Sequence, residues 1–151
     1  MDMIRWLLVG AGDIAKKRVA PALAGIPGSQ LVAVCDPRID AADQLADAYN
    51  VAYACRYRDL DTALAQAPVD AVYLATPVWR HADGALRALA AGKHVLIEKP
   101  LALSAPEAAR VVAAAQASGT YAACAYFRRF SPRYRHLREM LERGEFARLL
   151  A

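Results

Sequence analysis

The stretch Val9-Gly10-Ala11-Gly12-Asp13-Ile14-Ala15 constrains the chain more than any other. An apolar run, Ile4 to Val9, enters it, and a helical pattern leaves it. G-x-G-x-x-A between a strand and a helix brings backbone close to a pyrophosphate and sets the phosphates at a helix N-terminus. Gly10 permits the tight turn, and Gly12 has no Cβ to block a ligand. Ala15 is small enough to let the helix lie close on the strand. The amides of the first turn, those of Asp13 and Ile14 among them, and the helix dipole favour an anion there, the dipole by roughly 0.3–2 kcal/mol. An ordinary strand-to-helix turn carries the same glycines, so the rest of the chain has to supply the context.

That context is a regular alternation. Ile4–Val9, Leu31–Cys35, Val51–Cys55, Ala71–Ala75, His94–Ile97 and Tyr121–Tyr126 read as strands. Between and after them, helical spacing predicts helices over Asp13–Gly25, Asp40–Asn50, Asp59–Ala67, His81–Ala91, Ser104–Ser118 and Ser131–Arg143. Pro21 is expected to remove one hydrogen bond from the first helix and kink it. Ser104 with Glu107 forms a capping box, and Gly92, Gly119 and Gly144 stand where helices stop. Strand followed by helix throughout implies right-handed crossovers and an α/β fold with a doubly wound, mostly parallel sheet.

Ligands of such sheets bind beyond the carboxyl ends of the strands. Those positions hold Gly10–Asp13, Asp36-Pro37-Arg38, Thr76-Pro77, Glu98-Lys99-Pro100 and Tyr126–Arg129. Asp36 is placed to accept hydrogen bonds from a ribose diol and to repel a 2′-phosphate, which favours NAD; an Asx-type turn is the alternative. Arg38, two residues on, offers a partner to a 2′-phosphate, so NADP stays open. Glu98-Lys99-Pro100 sets opposite charges at the end of an apolar strand, either as a surface ion pair or as a lysine aimed at a substrate. His81 either touches the cofactor or caps its helix, and Trp79 either stacks near the cofactor or covers a loop.

Composition narrows the classes. A chain of 151 residues, 57% hydrophobic, suits one domain with a substantial core. The net charge of +4 does not demand nucleic acid. The run Arg128–Arg138 interleaves arginines with aromatics, but Tyr134, Leu137 and Leu141 recur at helical spacing, so its charges read as a solvated helix face rather than a nucleic-acid surface. Cys35, Cys55 and Cys124 show no metal-ligand spacing and read as reduced cysteines of a cytoplasmic protein. No signal peptide and no membrane-spanning run is expected.

Gly10-Ala11-Gly12-Asp13-Ile14-Ala15, Asp36, Ala75-Thr76-Pro77 with His81, Glu98-Lys99-Pro100 and Tyr126-Phe127-Arg128-Arg129-Phe130 occur in this order. Nearly the whole chain thereby resembles the nucleotide-binding half of the Gfo/Idh/MocA oxidoreductases, the glucose–fructose oxidoreductase and inositol dehydrogenase family. The resemblance implies a Rossmann-fold NAD(P)-binding domain over residues 1–130, then a linking helix and the stub of a second α/β domain over 131–151. It implies hydride transfer between NAD, or NADP, and a sugar, sugar derivative or cyclic polyol, and a homo-oligomer. Gly10, Gly12 and Asp36 would hold the pyrophosphate and ribose. Thr76 and Pro77 would line the cleft, and Glu98 and Lys99 would meet nicotinamide and substrate, Lys99 assisting proton transfer. Val78 and Phe127 depart from the family pattern, in which many members carry Asn. The family's second domain covers the site, so this chain is expected to bind dinucleotide weakly and turn over little, and a dinucleotide-binding module without turnover is the second reading. Residues 146–151 are expected to form the first strand of that second domain.

Overall fold

The computed structural model describes residues 3–146. Its six strands form one sheet in the order β3-β2-β1-β4-β5-β6, with every pairing parallel. The strands are β1 (Ile4–Val9), β2 (Ser29–Asp36), β3 (Tyr53–Arg56), β4 (Ala71–Leu74), β5 (His94–Ile97) and β6 (Ala122–Cys124). The helices are α1 (Ala20–Gly25), α2 (Ile39–Ala48), α3 (Leu60–Gln66), α4 (His81–Ala90), α5 (Ala105–Ser118) and α6 (Pro132–Glu142). This is the doubly wound α/β architecture that the alternation predicts. No helix among the described residues is long and apolar enough to cross a membrane.

Strand side chains alternate between the two faces of the sheet, and each face builds its own core. Leu7, Val9, Val72, Leu74, Val95 and Ile97 pack with Leu60 and Leu64 of α3, Ala85 and Leu89 of α4, and Val111 of α5. Leu8, Leu31 and Val34 pack on the opposite face with Ala20 and Leu23 of α1 and Ala42 and Leu45 of α2. A fully buried Leu contributes about 1.5–3 kcal/mol, so these two layers hold the strand ends in place for the site.

Local structure departs from expectation in several details, among them shifted bounds for β2, β3 and β6. The first helix is not uniform: a π-helical turn, Ala15–Val19, precedes α1, and the amide of Ala20 bonds the carbonyl of Ala15. Pro21 cannot donate the next helical bond, and the irregularity falls on the turn before it. At α5, Ser104 Oγ accepts from the Glu107 amide at 3.4 Å, but Glu107 Oε2 reaches past the cap residue to the Leu103 amide at 3.0 Å. Short 3₁₀ turns, Tyr57–Asp59 and Val78–Arg80, lead into α3 and α4 where uninterrupted helix or loop was expected. The expected strand at the chain end falls largely on residues 147–151, outside the described residues.

Candidate functional site

The carboxyl ends of β1, β2, β4 and β5 converge on one rim, and the glycine loop is its centre. The Gly10 amide continues the β1–β2 ladder to the Cys35 carbonyl at 2.7 Å, and the Ala75 amide bonds the Val9 carbonyl at 2.8 Å. Gly10 has φ +101°, and a Cβ on it would lie 2.6 Å from the Ala75 carbonyl oxygen. Glycine is therefore required here by the fold itself. Gly12 is different: a Cβ on it would meet nothing within 4 Å. The space above Gly12 is an open cradle beside the first-turn amides, which have no carbonyl one turn earlier to accept them.

Asp36 is 7% exposed. Its Oδ2 accepts from the Ala11 amide at 2.8 Å and its Oδ1 from the Arg38 amide at 2.9 Å. The second contact is an Asx turn; the first ties the end of β2 to the glycine loop. Each carboxylate oxygen retains a further lone pair. The exposed Arg38 guanidinium lies 3.7 Å from Oδ1. Asp13 turns its side chain down the helix to Lys17 at 2.6 Å, and that cation lowers its carboxyl below the usual range. Its carboxylate thus stays off an incoming phosphate, and what Asp13 offers the rim is its amide. Ile14 is exposed at the cleft mouth.

The turn after β4 carries a second open valence. Thr76 is 9% exposed, and its buried Oγ1 has no hydrogen-bond partner. Such orphans are uncommon in native structures and ask for a partner. His81 lies beneath this turn rather than on the rim, which corrects the expectation that it touches a cofactor. It is 1% exposed, with Nε2 at 2.9 Å from the Thr76 carbonyl and Nδ1 at 2.7 Å from the Pro100 carbonyl. One of these contacts is a hydrogen bond in the neutral ring, both in the imidazolium. His81 ties the turn after β4 to the turn after β5, and its ring nitrogens are not free for a ligand.

Lys99 follows β5 and lines a cleft of about 590 Å³ with Ile14, Arg18, Tyr73, Glu98 and Phe127. It forms no ion pair among the described residues, so Glu98-Lys99 is not the surface pair its sequence allows. Glu98 instead accepts from the Tyr73 hydroxyl at 2.8 Å through Oε1 and from the Lys99 amide at 3.2 Å through Oε2. Burial, then the bond to Glu98, raises the Tyr73 hydroxyl above its usual range, so it remains a donor. Tyr73 escaped sequence reading because it looks like any core residue of β4; its signal is a hydroxyl on a strand neighbouring the one that Glu98 ends. Pro77 shapes the turn that carries Thr76, and the peptide Lys99–Pro100 is cis.

A glycine cradle at a helix start, a carboxylate after β2, an unpartnered threonine hydroxyl after β4 and a lysine after β5, all on one rim of a parallel sheet, define a dinucleotide-binding Rossmann domain. The cradle and the orphaned hydroxyl fit a pyrophosphate-bearing ligand. The comparisons carry this further. The model of the GFO_IDH_MocA oxidoreductase family, NAD-binding Rossmann fold, matches residues 4–126, and the chain belongs to that family. A dTDP-3,4-didehydro-2,6-dideoxy-alpha-D-glucose 3-reductase of Actinomadura kijaniata is 36% identical over 93% of this chain and 42% of its own length. The inositol 2-dehydrogenase of Rhizobium meliloti is 34% identical over 93% of this chain and 41% of its own. A 3-ketoreductase structure from A. kijaniata, a complex with NADP and TDP-benzene, superposes with a TM-score of 0.88 at 34% identity, covering 98% of this chain and 45% of that one. The scyllo-inositol dehydrogenase of Lactobacillus casei with bound NAD(H) shares the fold, with a TM-score of 0.84 at 24% identity. The chain spans less than half the length of the relatives it matches.

Proposed function

We propose that this chain is the nucleotide-binding half of an NAD(P)-dependent oxidoreductase acting on a sugar, sugar derivative or cyclic polyol. The observation that carries the reading is the shared rim: the open space above Gly12, the unpartnered Thr76 Oγ1 and the cleft-lining Lys99 follow the carboxyl ends of β1, β4 and β5 in one parallel sheet. A bound nicotinamide supplies the hydride acceptor or donor. Within this chain the first-turn amides of Gly12, Asp13 and Ile14 receive the pyrophosphate, and Asp36 accepts from the adenosine ribose with its remaining lone pairs. Thr76 and Pro77 line the cleft. Glu98, fixed by Tyr73, holds the backbone of Lys99, whose ammonium faces the substrate hydroxyl or carbonyl oxygen and moves its proton. Relatives that reduce a dTDP-sugar or oxidise inositol support this substrate class.

We assign residues 1–130 to the dinucleotide domain and 131–151 to a linking segment, α6 included, since α6 buries no residue. The free cysteines fit a cytoplasmic protein, and a homo-oligomer follows the family resemblance. Lys99 is exposed, and water reaches the cleft. Water that reaches the reacting centre weakens every electrostatic contact made there, so the chain alone binds dinucleotide and turns over slowly. Titration with NADH, followed by energy transfer from Trp6 and Trp79 and by thermal stabilisation, tests the reading. Saturable transfer supports it, and absence of both signals rejects it. Measurable polyol or sugar oxidation by the isolated chain would reject only the slow-turnover statement.

A further inference from the structure

Beyond the ends of β2 and β3 lies a recess of about 420 Å³ walled largely by cations, among them Arg56, Arg58, Arg80 and Arg87. Arg87 is already neutralised, with Nε 2.8 Å from Asp61 and Nη1 3.9 Å from Asp83. Arg58 lies 3.7 Å from Asp59. Arg56 and Arg80 form no ion pair among the described residues. Like charges gathered around a concavity raise the local concentration of anions.

Two features make this more than a basic surface. The Arg80 guanidinium is held in place, 4.5 Å over the Tyr57 ring and 4.3 Å over the Trp79 ring. Its faces are stacked, which leaves its N–H edge to bind. The Tyr57 hydroxyl donates to Asp83 at 2.7 Å, and burial with that bond pushes its titration up to about 12, so the platform stays neutral. Arg56, in turn, is the direct register partner of Asp36 across β2 and β3. Pro37 also lines the recess, so the recess lies beside the end of β2, whose last residue is the Asp36 that the ribose reading places at the adenosine end of the cleft.

We propose that this recess is an anion subsite for the 2′-phosphate of a phosphorylated dinucleotide, with Arg56 and Arg80 as its principal contacts and Arg38 at its edge. The proposal rests on the dinucleotide reading above. Guanidinium forks match phosphate oxygens, and such charge-assisted bonds are roughly twice as strong as neutral ones. Asp36 opposes a second negative charge, but both its oxygens already accept amide hydrogens and the Arg38 guanidinium sits 3.7 Å away. The subsite thus makes the chain select NADP(H) over NAD(H), against what Asp36 alone implies.

The test compares NADPH with NADH by tryptophan energy transfer on the full chain, at low and at about 0.3 M salt. NADPH should bind at least about tenfold more tightly at low salt, with the advantage shrinking as salt rises. Arg56→Gln with Arg80→Gln should erase the advantage and leave NADH within about twofold; the exposed Arg56→Gln alone should cut it in part, which keeps the test readable if the double variant folds poorly. Inorganic phosphate should compete with NADPH and spare NADH. NADH binding without an NADPH advantage, or equal loss of both nucleotides in the variants, overturns the subsite and leaves the dinucleotide reading standing. Phosphate that displaces both nucleotides alike overturns it in favour of a site for free phosphate. Binding of neither nucleotide overturns both readings.

Discussion

Gly10 and Gly12 stand two positions apart and answer to different demands. Gly10 needs φ +101° and has the Ala75 carbonyl where a Cβ would go; Gly12 has free space. Gly10→Ala is therefore expected to cost about 3 kcal/mol or more of stability, whereas Gly12→Ala should melt within about a degree of the parent and weaken dinucleotide binding about tenfold or more. Thermal melts with NADH titration separate the two, and a Gly12→Ala chain that binds as the parent does would remove the cradle from the site. The motif was legible because both demands fall on glycine. The inward bonds of Asp36 were not, because an Asx turn and a ribose carboxylate look alike in sequence. Asp70 is a purely structural case. Its carboxylate takes the Arg5 guanidinium at 2.7 Å, and that side-chain bond holds it at about 2, below its ordinary 3.8. A depressed carboxylate stabilises the fold above its unfolded value and loses that stabilisation as pH falls from about 4 through 2. The pair is partly exposed, so Asp70→Asn is expected to cost about 1 kcal/mol or less at pH 7. It should also flatten the loss between pH 4 and 2 in denaturant melts.

At the scale of elements, the rim is a set of separate turns that have to be held at fixed distances. The β-ladder joins the turns after β1 and β2; His81 joins those after β4 and β5 through the Thr76 and Pro100 carbonyls. His81→Phe fills similar volume and removes the ring N–H that binds at least one of the two carbonyls, at an expected cost of about 1–3 kcal/mol. Because the two turns carry Thr76 and Lys99, nucleotide affinity should fall as well, and His81→Gln should restore part of it. A stable His81→Phe chain with unchanged NADH affinity would show that the clamp does not position the rim. Element types and their order were readable from apolar periodicity, and β5 falls where that periodicity puts it. Helix details were less so. Pro21 announced a disturbance, yet whether the chain kinks or widens into the π turn Ala15–Val19 depends on packing against β1 and β2, which no local pattern encodes. The role of His81 was equally hidden, since its partners are backbone carbonyls five and nineteen residues away.

The whole molecule is wound on both sides, but not evenly. One face carries α3, α4 and α5; on the other, α1 and α2 pack with β1 and β2. Over β4, β5 and β6 that second face is open among the described residues, a groove of about 800 Å³ bordered by Ile4, Trp6, Ala71, Leu96, Tyr121 and Ala123. Continuous apolar strands such as His94–Ile97 read as though helices covered both sides, because the bare side still carries Leu96 and the buried part of Trp6. The two neighbours at the end of β5 expose the asymmetry: Ile97 is 0% exposed in the helix-covered core, while Leu96 is only partly buried on the open face. Ile97→Lys places an unpaired ammonium among apolar side chains and is expected to prevent folding or to cost more than about 4 kcal/mol. Leu96→Lys can lay its methylenes along the groove and keep its charge in water, so it should cost about 1 kcal/mol or less. Urea melts of the two variants measure the difference. A Leu96→Lys chain as unstable as Ile97→Lys, or one whose sedimentation shifts while the parent's is larger than a monomer's, would mean that the face is covered in solution by a second copy of the chain.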